Sequence, residues 1–357
     1  MKAGVIFLSV FLTLVAIKLG PALFSPEKML TDLSNYDFID EETGKVVSKD
    51  ENFVIPLGQT LDLSFDRSKL STSTYILPES IKQNGLNVVF ISDQFESRED
   101  FEYTTAILQA YLRMVEPWKS HENFNFFSIY TGDAVSTDEG SKICYVEVEN
   151  HRKPTLRCST KINDFLIPLS LYRFKVVVVS RQDFTSWANL TRLNNSMVAL
   201  SVPKGKEEQE FTKKVLQHEF AHGFGLRDEM TKSVIALAGS EGTLAGGPNC
   251  APDVQTAVEW WGDFVPKTKD GKYVFSGEDG DVGFYFGCAG NEQFLKPTTG
   301  SLMNLQDLTK PSNDYGKVSE SFLKKVLTYC FSEKIYSIKD DPDFFELYPD
   351  YRECVKT

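Results

Sequence analysis

Basic residues are too few in this sequence for broad electrostatic binding of nucleic acid. Its 357 residues include 38 lysines and arginines against 50 aspartates and glutamates, so the formal net charge is -12. A protein that grips a phosphate backbone normally clusters positive side chains, because each contact neutralises a phosphate. We therefore expect no nucleic-acid partner. Internal repeats and low-complexity tracts are also missing, and the 41% hydrophobic content is enough to bury a core.

A comfortable membrane span is missing at the amino terminus. The uncharged, mostly apolar run from Ala3 to Ile17 has fifteen residues, fewer than the ~18 that a spanning helix needs. Lys2 precedes the run and Gly20-Pro21-Ala22 follows it as a small-x-small cleavage site, so residues 1–24 favour a cleaved signal peptide. The alternative is an uncleaved anchor, because Lys18 can snorkel and let the apolar stretch continue. Both interpretations predict a secreted or extracytoplasmic protein, and only the second predicts a membrane tether.

Cys-x-x-Cys spacing, which is typical of cysteine zinc sites, does not occur in this chain. The sequence has six cysteines, an even number, all downstream of the export signal. An oxidising compartment would pair them, although several connectivities are possible. Their order along the chain favours three local loops, which pair Cys144 with Cys158, Cys250 with Cys288, and Cys330 with Cys354.

Strand and helix patterns follow one another from residue 83 to residue 357, which predicts an α/β domain. Residues 25–82 are more polar and contain short strand-like pieces, so we expect a small β-rich extension there. Four apolar segments predict strands, namely Leu86–Ser92, Phe124–Tyr130, Phe174–Ser180 and Met197–Val202. The polar stretch around Cys144 and Cys158 predicts a hairpin closed by a disulfide.

Apolar residues at helical spacing predict three helices. The first begins after Ser97 and ends before Pro117, with an apolar stripe of Tyr103, Ile107, Ala110, Tyr111 and Met114. The second covers Glu207 to Phe224, with a stripe of Phe211, Val215, Leu216, Phe220 and Phe224. The third runs from about Ser319 to Tyr329. A hairpin turn is expected at Asp270-Gly271.

The second helix contains the strongest functional signal, the sequence His218-Glu219-Phe220-Ala221-His222. Four residues of helix rotate by about 400° and advance about 6 Å, so both imidazoles project toward one point. A metal ion can bind at that point. Glu219 lies about 100° around the helix, where its carboxylate can reach a metal-bound water without ligating the ion.

A catalytic zinc ion also needs a third protein ligand and an open position for water. Asp228 is the candidate, yet a continuous helix would place it about 240° around the axis from His222 and about 9 Å along it. The chain must therefore turn, and Gly223 and Gly225 supply the turn because glycine adopts the left-handed conformation without strain. Glu229 follows the same turn and stays open as an alternative ligand.

This set of residues predicts a zinc endopeptidase with one Zn²⁺ per chain and a protein or peptide substrate. Zinc lowers the pKa of its bound water to about 7, and Glu219 can accept the proton and deliver it to the leaving amine. Two alternatives remain. The helix could be solvent-facing with ordinary histidines, or the chain could be a non-catalytic surface binding or adhesion module on a peptidase scaffold.

The extended motif resembles the metzincin pattern, in which a glycine turn is followed by a third ligand six residues after the second histidine. Aspartate as that ligand, followed by Glu229, is most similar to the IgA-peptidase-type family of bacterial and archaeal metallopeptidases. The resemblance covers about Leu86 to Leu327 and includes the segments Val88–Phe95, Glu116–Trp118, Phe124–Phe126 and Val176–Ser180. It implies a metzincin-like domain with a twisted mixed sheet and an active-site helix.

Three further expectations come from the same resemblance. Metzincins place a methionine turn beneath the metal, and Gly300-Ser301-Leu302-Met303-Asn304 resembles it, which makes Met303 a structural floor. The long spacing from Asp228 to Met303 implies an insertion at about 230–290. Met197–Ser201 would form the edge strand that pairs with an extended substrate. Apart from the resemblance, Tyr315 after the turn would either stabilise an oxyanion or make a surface contact.

Overall fold

The computed structural model describes residues 70–132, 143–147, 154–159, 161–169, 171, 173–189, 196–230, 247–274, 281–304 and 312–355, and the backbone of two short strands before them. The chain divides into two compact units, residues 1–53 and 54–357. In the first unit, strands β1 (Phe38–Ile39) and β2 (Val46–Val47) pair antiparallel. The expected signal peptide or anchor, residues 1–24, and most of the expected extension lie outside the described residues.

The second unit contains ten described strands. In chain order they are β3 (Tyr75–Ile76), β4 (Leu86–Asp93), β5 (Phe124–Ile129), β6 (Cys144–Glu147), β7 (Thr155–Cys158), β8 (Phe174–Ser180), β9 (Trp187–Ala188), β10 (Ser196–Ser201), β11 (Tyr285–Cys288) and β12 (Asn291–Lys296). Six of them form a mixed sheet in the order β3-β5-β4-β8-β10-β9. The four inner strands run parallel, and β3 and β9 pair antiparallel at the two edges. The expected α/β fold and its four main strands are confirmed.

Both faces of this sheet are covered, which explains the nearly continuous apolar runs in β4 and β8. Every residue of these two strands is buried. Val177 and Val179 of β8 belong to one core, whereas Val176 and Val178 belong to the core on the opposite face. The first core also contains the helix with the histidine motif.

The helices are α1 (Arg98–Leu112), α2 (Ile162–Leu166), α3 (Glu210–His222), α4 (Val254–Trp261), α5 (Gly316–Cys330) and α6 (Pro342–Leu347). The three helices expected from sequence are α1, α3 and α5. No helix of the described residues is both long enough and apolar enough to cross a membrane.

Helix α1 begins at the expected cap, because Ser97 Oγ accepts a hydrogen bond from Asp100 N at 3.2 Å. The expected apolar stripe of this helix is wrong, since Tyr103 and Met114 are each 55% exposed. The buried face consists of Phe101, Thr104, Thr105, Leu108 and Leu112. Each threonine hydroxyl donates to a backbone carbonyl of the preceding turn. Threonine can therefore line a buried face that a hydrophobic pattern does not reveal.

Three disulfides join Cys144 to Cys158, Cys250 to Cys288, and Cys330 to Cys354, as expected from their order. The first links directly opposite residues of the antiparallel β6–β7 hairpin. This hairpin contacts the edge of the sheet, where Trp187 Nε1 donates to Leu156 O at 3.2 Å. Three disulfides are compatible with a protein that folds in an oxidising, extracytoplasmic compartment.

The expected insertion at about 230–290 is described from residue 247 onward, except for residues 275–280. It contains α4, a turn at Asp270-Gly271 and strand β11, which pairs with β12 just beyond it. The turn is confirmed, because Gly271 has φ +82° and Lys267 pairs with Tyr273 across it. Trp261 and Leu295 belong to a small separate core, which packs the insertion together.

The expectation that Met197–Ser201 forms the edge strand is wrong. Strand β10 lies between β8 and β9, and Val198 and Ala199 pair with Ala188 and Trp187 of β9. The edge strand is therefore β9. Two residues are too few to show the alternation by which a strand is recognised in a sequence.

Candidate metal centre

Helix α3 is fixed by aromatic packing on its buried side. Trp118 contacts Phe220 and Phe224, with ring centroids 5.3 and 4.9 Å apart. Of the expected apolar stripe, only Phe211 is wrong, because its side chain is 60% exposed. The packing places the motif itself in a buried position, where His218 and His222 lie with ring centroids 4.7 Å apart.

Both imidazoles are oriented by backbone carbonyls. His218 Nδ1 lies 2.8 Å from Leu302 O, and His222 Nδ1 lies 2.7 Å from Leu226 O. A carbonyl oxygen can only accept a hydrogen bond, so each Nδ1 carries a hydrogen and donates it. In a neutral imidazole the Nε2 atom then keeps its lone pair, which is the form that ligates a metal.

Three candidate ligand atoms converge in front of α3. The Nε2 atoms of His218 and His222 are 3.1 Å apart, and Asp228 Oδ1 lies 3.0 and 3.4 Å from them. Asp228 Oδ1 is buried and makes no hydrogen bond within the described part of the chain. Lone pairs brought this close repel one another unless a cation or a proton lies between them.

The spacing of these atoms fits one zinc ion. Zinc binds nitrogen and oxygen at about 2.0–2.2 Å, so tetrahedral ligands lie about 3.3–3.6 Å apart. The three separations of 3.0, 3.1 and 3.4 Å lie close to that range. The side chains of His218, His222 and Asp228, which sequence reasoning selected, are therefore brought together as a candidate metal-ligand set.

The protonation of the metal-free centre is consistent with a cation-binding site. Burial opposes protonation of His218, but the Asp228 carboxylate outweighs burial and raises the pKa of His218 to about 9. Burial also opposes ionisation of Asp228, yet the two histidines hold the pKa of Asp228 well below its usual range. Without a metal ion, a proton on His218 relieves the repulsion between the converging atoms.

Glu219 lies beside the two histidines, as expected. One ligand atom from each of His218, Glu219 and His222 falls within 4.8 Å of the others, and all three residues are buried. Glu219 Oε2 has no hydrogen-bond partner among the described residues. Burial raises the pKa of this carboxyl group to about 7. Glu219 therefore lies beside the imidazoles, and one of its carboxylate oxygens makes no hydrogen bond to the described residues.

The turn after α3 uses its two glycines for different reasons. Gly225 has φ +87°, and its N–H donates to His222 O at 2.9 Å, so the expected left-handed turn is confirmed there. For Gly223 the expectation is wrong, because its φ of -61° is helical. A Cβ atom at Gly223 would instead lie 2.5 Å from Ser196 Oγ of β10. Glycine is needed there because the strand passes close to the helix end.

Glu229, the alternative ligand, is committed to other contacts. It is fully buried, and its two carboxylate oxygens accept hydrogen bonds from Asn249 Nδ2 at 2.9 Å and from Ser301 Oγ at 2.7 Å. Its backbone carbonyl accepts a hydrogen bond from Lys296 Nζ at 2.6 Å. Glu229 thus supports the centre from behind, and Asp228 provides the oxygen that faces the histidines.

The turn around Met303 touches both sides of the centre. Leu302 O accepts from His218, and Met303 O accepts from Glu229 N at 2.8 Å. Asn304 N donates to Ser301 O at 3.0 Å and closes the turn. Met303 itself is fully buried in the core that contains Phe220.

Both expectations for Tyr315 are wrong. Its side chain is fully buried, and its hydroxyl group donates to Gln217 O of α3 at 2.6 Å. Trp118 Nε1 donates to the same hydroxyl group at 3.0 Å. Burial raises the pKa of Tyr315 above its ordinary value. Tyr315 therefore holds the helix from behind and has no hydrogen left for an oxyanion.

Several supporting residues were not recognised in the sequence. Asn249 and Ser301 show no pattern that would mark them as partners of Glu229. Lys175 did carry a signal, because it is the charged residue inside an otherwise apolar strand. It is 1% exposed and donates to Gly223 O at 2.5 Å, at the end of α3.

No protein-family model matches this chain, and no curated protein sequence shows a significant match to it. The functional conclusion therefore depends on the geometry of the site.

Proposed function

We propose that this protein is a secreted zinc metallopeptidase that cleaves peptide bonds within proteins or peptides. The observation that carries the proposal is the buried triangle of His218 Nε2, His222 Nε2 and Asp228 Oδ1, with sides of 3.0–3.4 Å. Three acceptor atoms at this spacing, with both imidazole hydrogens directed away, are what a zinc ion requires. The free carboxylate oxygen of Glu219 beside them supplies the base that hydrolysis needs.

The residues of the chain divide the chemistry between them. His218, His222 and Asp228 would hold Zn²⁺, which would supply an acidified water and polarise the substrate carbonyl. Glu219 accepts a proton at its carboxylate oxygen and passes it to the nitrogen of the leaving amine. In the metal-free protein, burial raises the pKa of Glu219 above its ordinary value, which favours a carboxyl group that can hold a proton. The carbonyls of Leu226 and Leu302 keep the imidazoles in the ligating tautomer.

The finer assignment is to a metzincin-like peptidase of the IgA-peptidase type. Three features support it: the left-handed turn at Gly225, an aspartate as third ligand, and the turn around Met303 beneath His218. The turn and the aspartate were expected from helix geometry as well as from the resemblance, and the Met303 turn was expected from the resemblance alone.

We place the substrate peptide along the edge strand β9, which contacts α3 and ends the sheet on that side. An extended peptide can add to such an edge through backbone hydrogen bonds. N-methylation of single amides in a cleaved peptide should therefore lower kcat/KM at the positions that pair with β9. Equal turnover of all the N-methylated peptides would show that the substrate binds in another way.

Metal analysis with a matched pair of variants tests the proposal. The purified protein should contain one zinc per chain and cleave casein or a peptide library. Glu219→Ala should keep the zinc and lose about 10²–10⁴-fold in kcat, because only proton transfer is removed. Glu210→Ala is the control, since Glu210 is an exposed glutamate on the same helix. A Glu219→Ala protein with full activity would refute the assigned base. A protein that binds zinc without cleaving any peptide would favour the binding-module alternative.

A further inference from the structure

The side chain of Asn249 holds the segment that contains Asp228 by hydrogen bonds. The Oδ1 atom of Asn249 accepts from Arg227 N at 2.8 Å, and its Nδ2 atom donates to Arg227 O at 2.8 Å and to Glu229 Oε1 at 2.9 Å. Asn249 is fully buried. One side chain thus bonds the residues immediately before and after Asp228.

The turn between β11 and β12 also holds this segment, through backbone hydrogen bonds. Ala289 N donates to Asp228 O at 2.8 Å, and Gly290 N donates to Met230 O at 3.0 Å. Cys288 Sγ lies 3.4 Å from Asp228 O. The backbone around the third ligand is therefore held by a second element that is distant in sequence.

A disulfide bond links the two elements that hold the Asp228 segment. Asn249 directly precedes Cys250, Ala289 directly follows Cys288, and these two cysteines form a disulfide whose sulfurs are buried. We call Asn249, Cys250, Cys288 and Ala289 the Asp228 clasp. The clasp closes around the third ligand without supplying an atom to the metal.

We infer that the Asp228 clasp positions the third ligand and sets how tightly the protein holds its metal. The inference rests on the proposed function. His218 and His222 are fixed by their helix, but Asp228 lies beyond a glycine turn and needs contacts of its own to stay near them. Groups that orient metal ligands from outside typically contribute 10–100-fold to metal affinity. Asn249 is the positioning residue, and the disulfide keeps it in place.

The test measures zinc affinity in variants of the full chain. Asn249→Ala and the double variant Cys250→Ser/Cys288→Ser should each raise the zinc Kd by about 10–100-fold in a chelator competition assay. Cobalt-substituted protein provides a second readout, since a displaced aspartate changes the visible absorption bands. Turnover at saturating zinc should recover toward that of the parent, because the catalytic groups are intact.

The matched control is Cys144→Ser/Cys158→Ser, which removes a disulfide on the opposite face of the sheet. Its zinc Kd should stay within about threefold of the parent value. An equal loss of affinity in this control would overturn the inference, because the effect would then follow from any lost disulfide. Zinc affinity within threefold of the parent in folded Asn249→Ala would overturn it as well.

Two further outcomes separate the possible failures. If the double-serine variant does not fold, Asn249→Ala and the milder Asn249→Asp decide the matter with the disulfide intact. A parent protein that binds no zinc would refute the proposed function itself. A parent that binds zinc through His218, combined with unaffected clasp variants, would refute only the clasp.

Discussion

The two halves of the candidate metal centre are built in different ways. His218 and His222 come from one helix, four residues apart, and backbone carbonyls orient both rings. Asp228 comes from a loop, and it is held through groups that lie far along the chain, namely Asn249, Ala289 and Ser301. The spacing of the histidines therefore depends on local helix geometry, with Leu302 O orienting His218 from 84 residues away, whereas the aspartate half depends on tertiary contacts throughout. A sequence motif can reveal the first kind of construction more readily than the second.

The largest expected effect comes from removing a ligand on either side. A four-ligand zinc site with a binding free energy of roughly 10–16 kcal/mol gains about 2.5–4 kcal/mol per ligand if the ligands share it equally. His222→Ala and Asp228→Ala should therefore each raise the zinc Kd by about 70–900-fold. Isothermal titration with a competing chelator measures both. Parent-like zinc affinity in Asp228→Ala would show that the third ligand is another group.

The sequence predicts the histidine half of the site better than the contacts that hold the aspartate half. The spacing of His218 and His222 determines their common face by helix geometry alone, and the need for a turn before Asp228 follows from the same arithmetic. The partners of Glu229 were invisible, because Asn249 and Ser301 are 20 and 72 residues away from it and ordinary in type. Only the folded chain brings them together.

The fold shows the same division. Strands β4 and β8 were predictable, because both faces are buried and their residues are continuously apolar. The buried face of α1 was not, because Thr104 and Thr105 occupy positions where a pattern search expects hydrocarbon. The edge strand was misplaced because β9 has only two residues. Sequence periodicity fails to predict an element that is very short. It also fails to predict a buried helix face on which polar side chains hydrogen-bond to the backbone of their own helix.

Lys175 lies at the junction of the two halves, and its substitution should have the next largest effect. Burial lowers its pKa from 10.5 to about 7, so above pH 7 the unfolded chain binds a proton that the folded protein lacks. The stability of the metal-free parent should therefore rise between about pH 7 and 10.5, while Lys175→Met lacks this increase. At pH 7 and below, Lys175→Met should be more stable than the parent by on the order of a few kcal/mol, because it buries no charged amine. The lost hydrogen bond to Gly223 O reduces this gain by about 1 kcal/mol.

Urea unfolding of both metal-free proteins at several pH values measures this difference. The advantage of Lys175→Met should shrink steadily as the pH rises above 7. Parallel stability curves for the two proteins would mean that Lys175 stays charged in the folded state. The amine would then act as a permanent cation at the end of α3.

The two glycines of the turn allow a smaller and sharper comparison. Gly225→Ala should cost about 1–2 kcal/mol, because its φ of +87° strains any residue with a Cβ atom. Gly223→Ala should cost about 1–3 kcal/mol through overpacking against Ser196 Oγ. Ser196→Ala removes that oxygen, which has no hydrogen-bond partner among the described residues, and should rescue only the Gly223 variant. Thermal unfolding of the single and double variants would contradict this view if Ser196→Ala rescued both or neither.

The smallest expected effect concerns Met303, whose turn touches both halves of the centre. Those contacts use backbone atoms, since Leu302 O meets His218 and Met303 O meets Glu229 N. Met303→Leu conserves volume and should cost less than about 1.5 kcal/mol in unfolding free energy and leave zinc affinity nearly unchanged. Ser301→Ala, two residues away, removes the hydroxyl group that donates to Glu229 and accepts from Met303 N, and should cost about 1–3 kcal/mol. Weaker zinc binding in Met303→Leu, with unchanged zinc binding in Ser301→Ala, would contradict this view. The methionine side chain itself would then support both halves of the centre, in place of the separate backbone contacts.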